Sequence, residues 1–155
     1  MPRITSKEES QIRLSENGKW FHQDQPFENS KIIEFFHRAI RKDEQGEYFL
    51  FNRIGKKTEH VYFEVADTAY FVTSLGSKPE YNLLEGRLNT GQKVSIAIES
   101  LVEDDRGVMY CQVLSGDRAR FTQPALEKLA DMSKMDQAGV FLEIQGKRRY
   151  ISKNK

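Results

Sequence analysis

The sequence predicts an α+β fold of two small lobes, each with one helix packed on antiparallel strands, and three observations carry that expectation. Apolar residues recur at helical spacing in only two stretches, about 29–42 and about 124–134, whereas most of the chain between them alternates with period two. Short turn-forming segments separate the alternating stretches, which makes sequence neighbours antiparallel partners. Gly76-Ser77-Lys78-Pro79 is the strongest break and divides the chain into an N-terminal lobe, 1–76, and a C-terminal lobe, 77–155.

In the first helix Ile32, Ile33, Phe35, Phe36, Ala39 and Ile40 form one broad face, and Lys31, Glu34, Arg38 and Arg41 form the other. Asn29 and Ser30 both suit an N-cap, because their side chains accept hydrogen bonds from the free amides of a first turn. Glu34 and Arg38 stand four apart in the favourable order, and Asp43-Glu44-Gln45-Gly46 stops the helix. Strands are expected over 48–51, 58–65, 69–75, 81–88, 93–102 and 108–114. Asn89-Thr90-Gly91 and Glu103-Asp104-Asp105-Arg106-Gly107 make good hairpin loops, since Asn and Gly tolerate positive φ. The second helix starts around Pro124, whose missing N–H costs nothing in a first turn, and uses Leu126, Leu129, Ala130 and Met132 as its apolar face. A last strand over 140–144 turns at Gly146 and pairs with 149–151.

The halves also echo one another. Leu14-Ser15, Phe21, Gln25-Pro26, Phe49-Leu50 and Gly55-Lys56-Lys57 reappear as Leu114-Ser115, Phe121, Gln123-Pro124, Phe141-Leu142 and Gly146-Lys147-Arg148. The match needs gaps, so an internal repeat and chance recurrence among turn residues both stay open.

A chain of 155 residues is too short for a large multidomain enzyme. Lys and Arg total 24 against 23 Asp and Glu, and a net charge of +1 gives no global field toward nucleic acid or an acidic membrane. No apolar run approaches the length of a membrane span. The lone Cys111 forms no internal disulfide and, within an apolar strand, reads as a buried structural thiol. A reducing compartment fits, as does a secreted protein that never used thiols; the opening MPRITSKEES lacks the apolar core of a signal peptide and favours the first, so a cytoplasmic location is expected. Gly-x-Gly-x-x-Gly, Gly-x-Ser-x-Gly and His-Glu-x-x-His do not occur, and His22, His37 and His60 are too scattered for a local metal site. From Gly86 to Lys93 the outer spacing is that of a phosphate loop, but Gln92 stands where the lysine belongs, so the segment reads as a hairpin. Glu103-Asp104-Asp105 reads as a solvated loop tip. No catalytic residue, metal ligand or cofactor emerges.

The unusual feature is aromatic. Of 17 Phe, Trp and Tyr residues, 12 precede position 76, and four expected strands carry the same doublet: Trp20-Phe21, Tyr48-Phe49, Tyr62-Phe63 and Tyr70-Phe71. Neighbours on a strand point to opposite faces, so in one sheet with its Phe residues in the core, Trp20, Tyr48, Tyr62 and Tyr70 share the other face. By parity His22 joins Trp20, and His60 and Glu64 join Tyr62. Such a face takes a small molecule or a protein partner, is covered by the second lobe or by a second copy in a homodimer, or is ordinary scattered surface. The alternative site is basic: Lys147, Arg148, Arg149, Lys153 and Lys155 fall within nine residues around Tyr150, which fits nucleic acid or, better, a solvated edge strand.

At Trp20, Pro26, Arg38-Ala39-Ile40, Asp43, Gly46-Glu47-Tyr48-Phe49-Leu50 and Phe63-Glu64-Val65-Ala66-Asp67 the sequence resembles the uncharacterised bacterial family called domain of unknown function 1285. The likeness continues through Asn89-Thr90-Gly91 and Arg120-Phe121-Thr122-Gln123-Pro124 and is poor from Gln137 onward and around the Ile96 to Arg106 hairpin. The resemblance implies two α+β lobes with a repeated helix-and-strand motif, no established enzymatic activity, and a suggested link to signal transduction. The expectation is therefore a small cytoplasmic, non-enzymatic ligand- or protein-binding module. Its alternatives are nucleic-acid binding through the basic segment, or an enzyme whose His22 or His60 meets Glu64 only in three dimensions.

Overall fold

The structure is a computed structural model and describes residues 1–76, 79 and 81–153. It is a mixed α/β architecture made mostly of sheet, and it divides into two compact units, Met1–Ala69 and Tyr70–Lys155. Ser77 and Lys78 of the expected break, and Lys155 of the basic segment, lie outside the described residues.

The first unit runs β1 (Arg3–Thr5), α1 (Lys7–Ser10), β2 (Ile12–Leu14), β3 (Trp20–His22), β4 (Gln25–Pro26), α2 (Ser30–Ala39), β5 (Ile40–Lys42), β6 (Tyr48–Ile54), β7 (Lys57–Tyr62) and β8 (Glu64–Val65). Its strands form two sheets, ordered β1-β7-β6-β5 and β4-β3-β2-β8. Ser6 opens α1 with a capping box: its hydroxyl accepts from the Glu9 amide at 3.2 Å, and the Glu9 carboxylate accepts from the Ser6 amide at 3.2 Å. Asn29 caps α2, taking the amides of Lys31 and Ile32. Glu34 and Arg38 pair at 2.8 Å as their spacing predicts.

Two expectations about this unit are corrected. The helix foreseen to residue 42 ends at Ala39, because Ile40 turns extended and lies 2% exposed opposite Leu50, giving β5 a ladder on β6. The strand foreseen over 58–65 is two strands in two sheets. β7 stops at Tyr62, Phe63 is buried at the crossing, and β8 joins β2.

At the centre of the unit lies Trp20, 2% exposed, with ring centroids of Phe63 at 4.9 Å, Phe36 at 5.3 Å and His37 at 5.6 Å. Its indole N–H donates to His37 Nδ1 at 3.3 Å. Leu14, Ala39, Ile40, Phe49, Leu50 and Ala69 are also buried in this unit.

The second unit contains β9 (Tyr70–Leu75), β10 (Leu83–Leu88), β11 (Lys93–Ala97), β12 (Val102–Glu103), β13 (Met109–Val113), β14 (Asp117–Phe121), α3 (Gln123–Met132), β15 (Lys134–Asp136), β16 (Gly139–Ile144), β17 (Lys147–Tyr150) and β18 (Ser152–Lys153). A seven-stranded sheet has the order β11-β10-β9-β14-β13-β12-β18, α3 packs on β9, and β15-β16-β17 form a separate sheet. The strand foreseen over 93–102 is broken by a 3₁₀ turn at Ile98–Ser100. The all-antiparallel expectation also fails. β1 with β7, β2 with β8, β9 with β14 and β12 with β18 run parallel, each joining segments far apart in sequence that no short turn connects.

Leu14, 0% exposed, packs in the first unit's core. Leu14→Ala lowers stability by about 3 kcal/mol, measured by urea unfolding followed through the fluorescence of Trp20, the chain's one tryptophan.

Candidate functional site

The pairing of β1, β7, β6 and β5 sets which side chains share a face. Arg41 lies opposite Phe49, Phe49 opposite Tyr62, Phe51 opposite His60, and Ile4 beside His60, so these six occupy one side of the sheet with Arg53 and Thr58. His60 lies nearly flat on Phe49, centroids 4.2 Å apart and planes 19° apart, and stands 5.8 Å from Phe51. Phe51 is flanked by two guanidinium groups, Arg41 at 5.7 Å and Arg53 at 6.0 Å from its centroid. Arg41 Nη1 also donates to the carbonyls of Arg38 and Ile40, which holds it in place. No carboxylate belongs to this face, and neither arginine makes an ion pair among the described residues.

At one end of the face Tyr62 donates its hydroxyl to Asp43 Oδ2 at 2.8 Å, while Asp43 Oδ1 accepts the amides of Gln45 and Glu47. The Glu47 amide, then the Tyr62 hydroxyl and the remaining backbone amides, hold the Asp43 carboxyl below its usual range, and the bond to Asp43 pushes the Tyr62 phenol up. Tyr62 therefore spends its polar tip on the β5–β6 turn. The second unit uses the same device: Tyr150 donates to Asp136 Oδ2 at 2.6 Å, and Asp136 Oδ1 accepts the amides of Ala138 and Gly139. There Arg148 pairs with Asp136 at 2.5 Å and lies over Phe141. Lys147 and Arg149 alternate to the opposite side of β17, so the three basic residues make no common patch.

Of the residues read as one aromatic face, the structure keeps His60 with Tyr62 on β7 and Trp20 with His22 on β3, in different sheets. The premise of a single sheet fails: Trp20 and His22 lie on β3, Tyr48 and Tyr62 in the other sheet of the first unit, and Tyr70 in the seven-stranded sheet of the second. Trp20 and Tyr70 are buried, Tyr48 faces away from Tyr62, and His22 is exposed with Phe27 at 6.4 Å. Glu64 belongs to the sheet of β2, because the crossing at Phe63 breaks the parity assumed from Tyr62. Neither His22 nor His60 is hydrogen-bonded to a carboxylate among the described residues, so the histidine–Glu64 pair does not form. Among the described residues no group of three or more His, Cys, Asp or Glu could hold a metal ion, and no helix is long and apolar enough to cross a membrane. Cys111 is buried, and burial pushes its thiol up to about 12, away from nucleophilic use.

Sequence reading missed Arg41, Phe51 and Arg53. The alternation Phe49, Phe51, Arg53 was the available signal, but Arg41 sat inside a stretch of helical periodicity that β5 takes over.

Residues 3–68 match the family model described as domain of unknown function (DUF1285), N-terminal domain. The crystal structure of a DUF1285 family protein from Silicibacter pomeroyi DSS-3 superposes with a TM-score of 0.65 at 17% identity, covering 98% of this chain and 84% of that one. The chain resembles the DUF1285 family. A second DUF1285 protein, from Shewanella baltica OS155, gives a TM-score of 0.53 at 15% identity over 79% of this chain and 91% of its own. At such identities the DUF1285 structures share a fold with this chain. No curated protein matches it.

Within this DUF1285-like fold the buried His37 supplies a measurable handle. Burial lowers its pKa from the ordinary 6.5, so the unfolded chain takes up its proton first as pH falls. Stability from this site is complete above the unfolded value and declines as pH drops through it toward the folded value. The thermal midpoint read by Trp20 fluorescence is expected to fall between about pH 8 and about pH 5, and His37→Gln, which retains an acceptor for the indole, flattens that part of the profile.

Proposed function

We propose that this protein is a small, non-enzymatic binding module of the cytoplasm that recognises an acidic segment of a protein partner through the Arg41, Phe51, Arg53 and His60 face of its N-terminal sheet. One observation carries the reading: two guanidinium groups flank a half-buried phenylalanine on a sheet face that holds no carboxylate. A cation held over a ring and left without a counter-ion is an incomplete interaction, and a carboxylate arriving beside an apolar or aromatic group completes it. Ile4, 60% exposed next to His60, extends the apolar area available to such a partner. The free, buried Cys111 agrees with a reducing compartment. A regulatory or signalling role is the use to which a binding surface without catalytic groups is suited.

We further infer that the two units carry a duplicated motif. Supporting this, each has a ten-residue helix, a three-residue strand, an aspartate-held turn, two further strands, and a tyrosine whose hydroxyl returns to the aspartate. Phe49-Leu50 and Phe141-Leu142 fall at like positions, with Phe49 opposite Tyr62 and Phe141 opposite Tyr150.

Fluorescence anisotropy with a labelled glutamate–tyrosine random copolymer tests the binding surface. The protein is expected to bind it with an affinity that falls as salt rises, and the paired reversal Arg41→Glu with Arg53→Glu weakens binding at least about tenfold. Lys147→Gln with Arg149→Gln is the control and leaves it unchanged. Undetectable binding, or binding indifferent to the reversal, overturns the proposal, as does tighter, reversal-sensitive binding of an oligothymidylate.

A further inference from the structure

The small sheet of the first unit borders a cavity of about 440 Å³, within the range of small-ligand sites. Strand β2 supplies Arg13 as its centre. Arg13 lies opposite Phe21 on β3 and beside Glu64 on β8, and its guanidinium sits over the Phe21 ring at 4.5 Å. Glu8 of α1 lines the cavity as well.

The charges around this cavity are unevenly satisfied. Lys7 is held by Glu47 at 2.6 Å. Arg13 meets its nearest carboxylate, Asp24, at 3.7 Å, and that side chain is 94% exposed, so the contact is loose and readily displaced. Glu8 and Glu64 have neither a hydrogen bond nor an ion pair among the described residues. The cavity thus offers one stacked guanidinium with its fork available, and two unpaired carboxylates.

Its backbone is costly to maintain. Gln11 (φ 53°), Gln23 (φ 48°) and Asp24 (φ 66°), three of the non-glycine residues in the left-handed region, all line it. The Gln23-Asp24 turn joining β3 to β4 has positive φ at both central positions, where Asn-Gly is the unstrained choice. Side chains bearing an amide and a carboxylate stand at the wall where glycine would relieve the strain.

We propose that this cavity binds a free basic amino acid of the lysine, ornithine or arginine class. The α-carboxylate takes the Arg13 guanidinium, displacing the loose contact with Asp24, and the ammonium and side-chain cation take Glu8 and Glu64. A carboxylate alone leaves the two acids unpaired, and a diamine alone leaves Arg13 with Asp24, so the full charge pattern is matched only by a ligand carrying all three groups.

Isothermal titration calorimetry of the full chain with L-lysine and with L-arginine at low salt tests this. Saturable binding is expected for at least one of them, weakened about tenfold or more by Glu64→Gln and by Arg13→Gln, since each removes a charge-assisted contact. Arg13→Lys keeps the stem over Phe21 and the charge but loses the two-pronged fork, and it too weakens binding; an unchanged thermal midpoint shows that the fold persists in it. Arg53→Gln, on the other sheet, leaves binding intact. Putrescine binds more weakly than lysine and ignores Arg13→Gln. Absence of saturable heat with both amino acids, binding indifferent to the Arg13 and Glu64 substitutions, or putrescine equalling lysine overturns the proposal. Because the sites use different residues, its failure leaves the acidic-partner surface standing.

Discussion

An indole cannot be buried without an acceptor for its N–H, and that requirement organises the N-terminal unit. Trp20 meets it through His37 Nδ1, which accepts the indole N–H and so favours the neutral imidazole, whose pKa burial lowers. Phe36 closes edge-on against the indole, and Phe27 meets Phe36 edge-on with centroids 5.0 Å apart. Phe63 fills the remaining side at the point where the chain leaves one sheet for the other. One hydrogen bond and three rings thereby tie together a strand, a helix and a crossing that are distant in sequence.

The aspartate–tyrosine pairs do comparable work at the ends of the three-strand motifs. Each carboxylate satisfies two turn amides with one oxygen and a phenol with the other, so the turn and the strand that returns past it are fixed as a unit. This commitment decides what the neighbouring surface has left to offer. With the Tyr62 hydroxyl consumed and His60 lying on Phe49, the groups still able to meet an incoming partner are the guanidiniums of Arg41 and Arg53 and the edge of Phe51.

Local signals were legible where a short stretch decides its own structure. The Asn29 cap, the Glu34–Arg38 pair, the Asn89-Thr90-Gly91 hairpin and the second helix all appear close to where the residues indicate. What could not be read was partnership. β1, β2 and β14 are short strands that each take a parallel partner distant in sequence, and parallel pairing leaves no turn signature between partners. The parity reasoning about Trp20, Tyr48, Tyr62 and Tyr70 was sound within a strand and failed between strands, since it assumed a single sheet. The Leu14 and Leu114 echo likewise dissolves, with Leu14 on a strand and Leu114 at φ 43° opening a 3₁₀ turn.

The parallel pairs also impose an order on synthesis. Every strand pairing of the N-terminal unit is complete once Val65 has emerged from the ribosome, so that unit can close while the rest of the chain is still being made. The seven-stranded sheet has no such freedom: β9 waits for β14, and β12 receives its outer neighbour only when Ser152 and Lys153 arrive. Until then the Val102–Glu103 edge is an open template, and the partly made sheet is exposed to misassembly there.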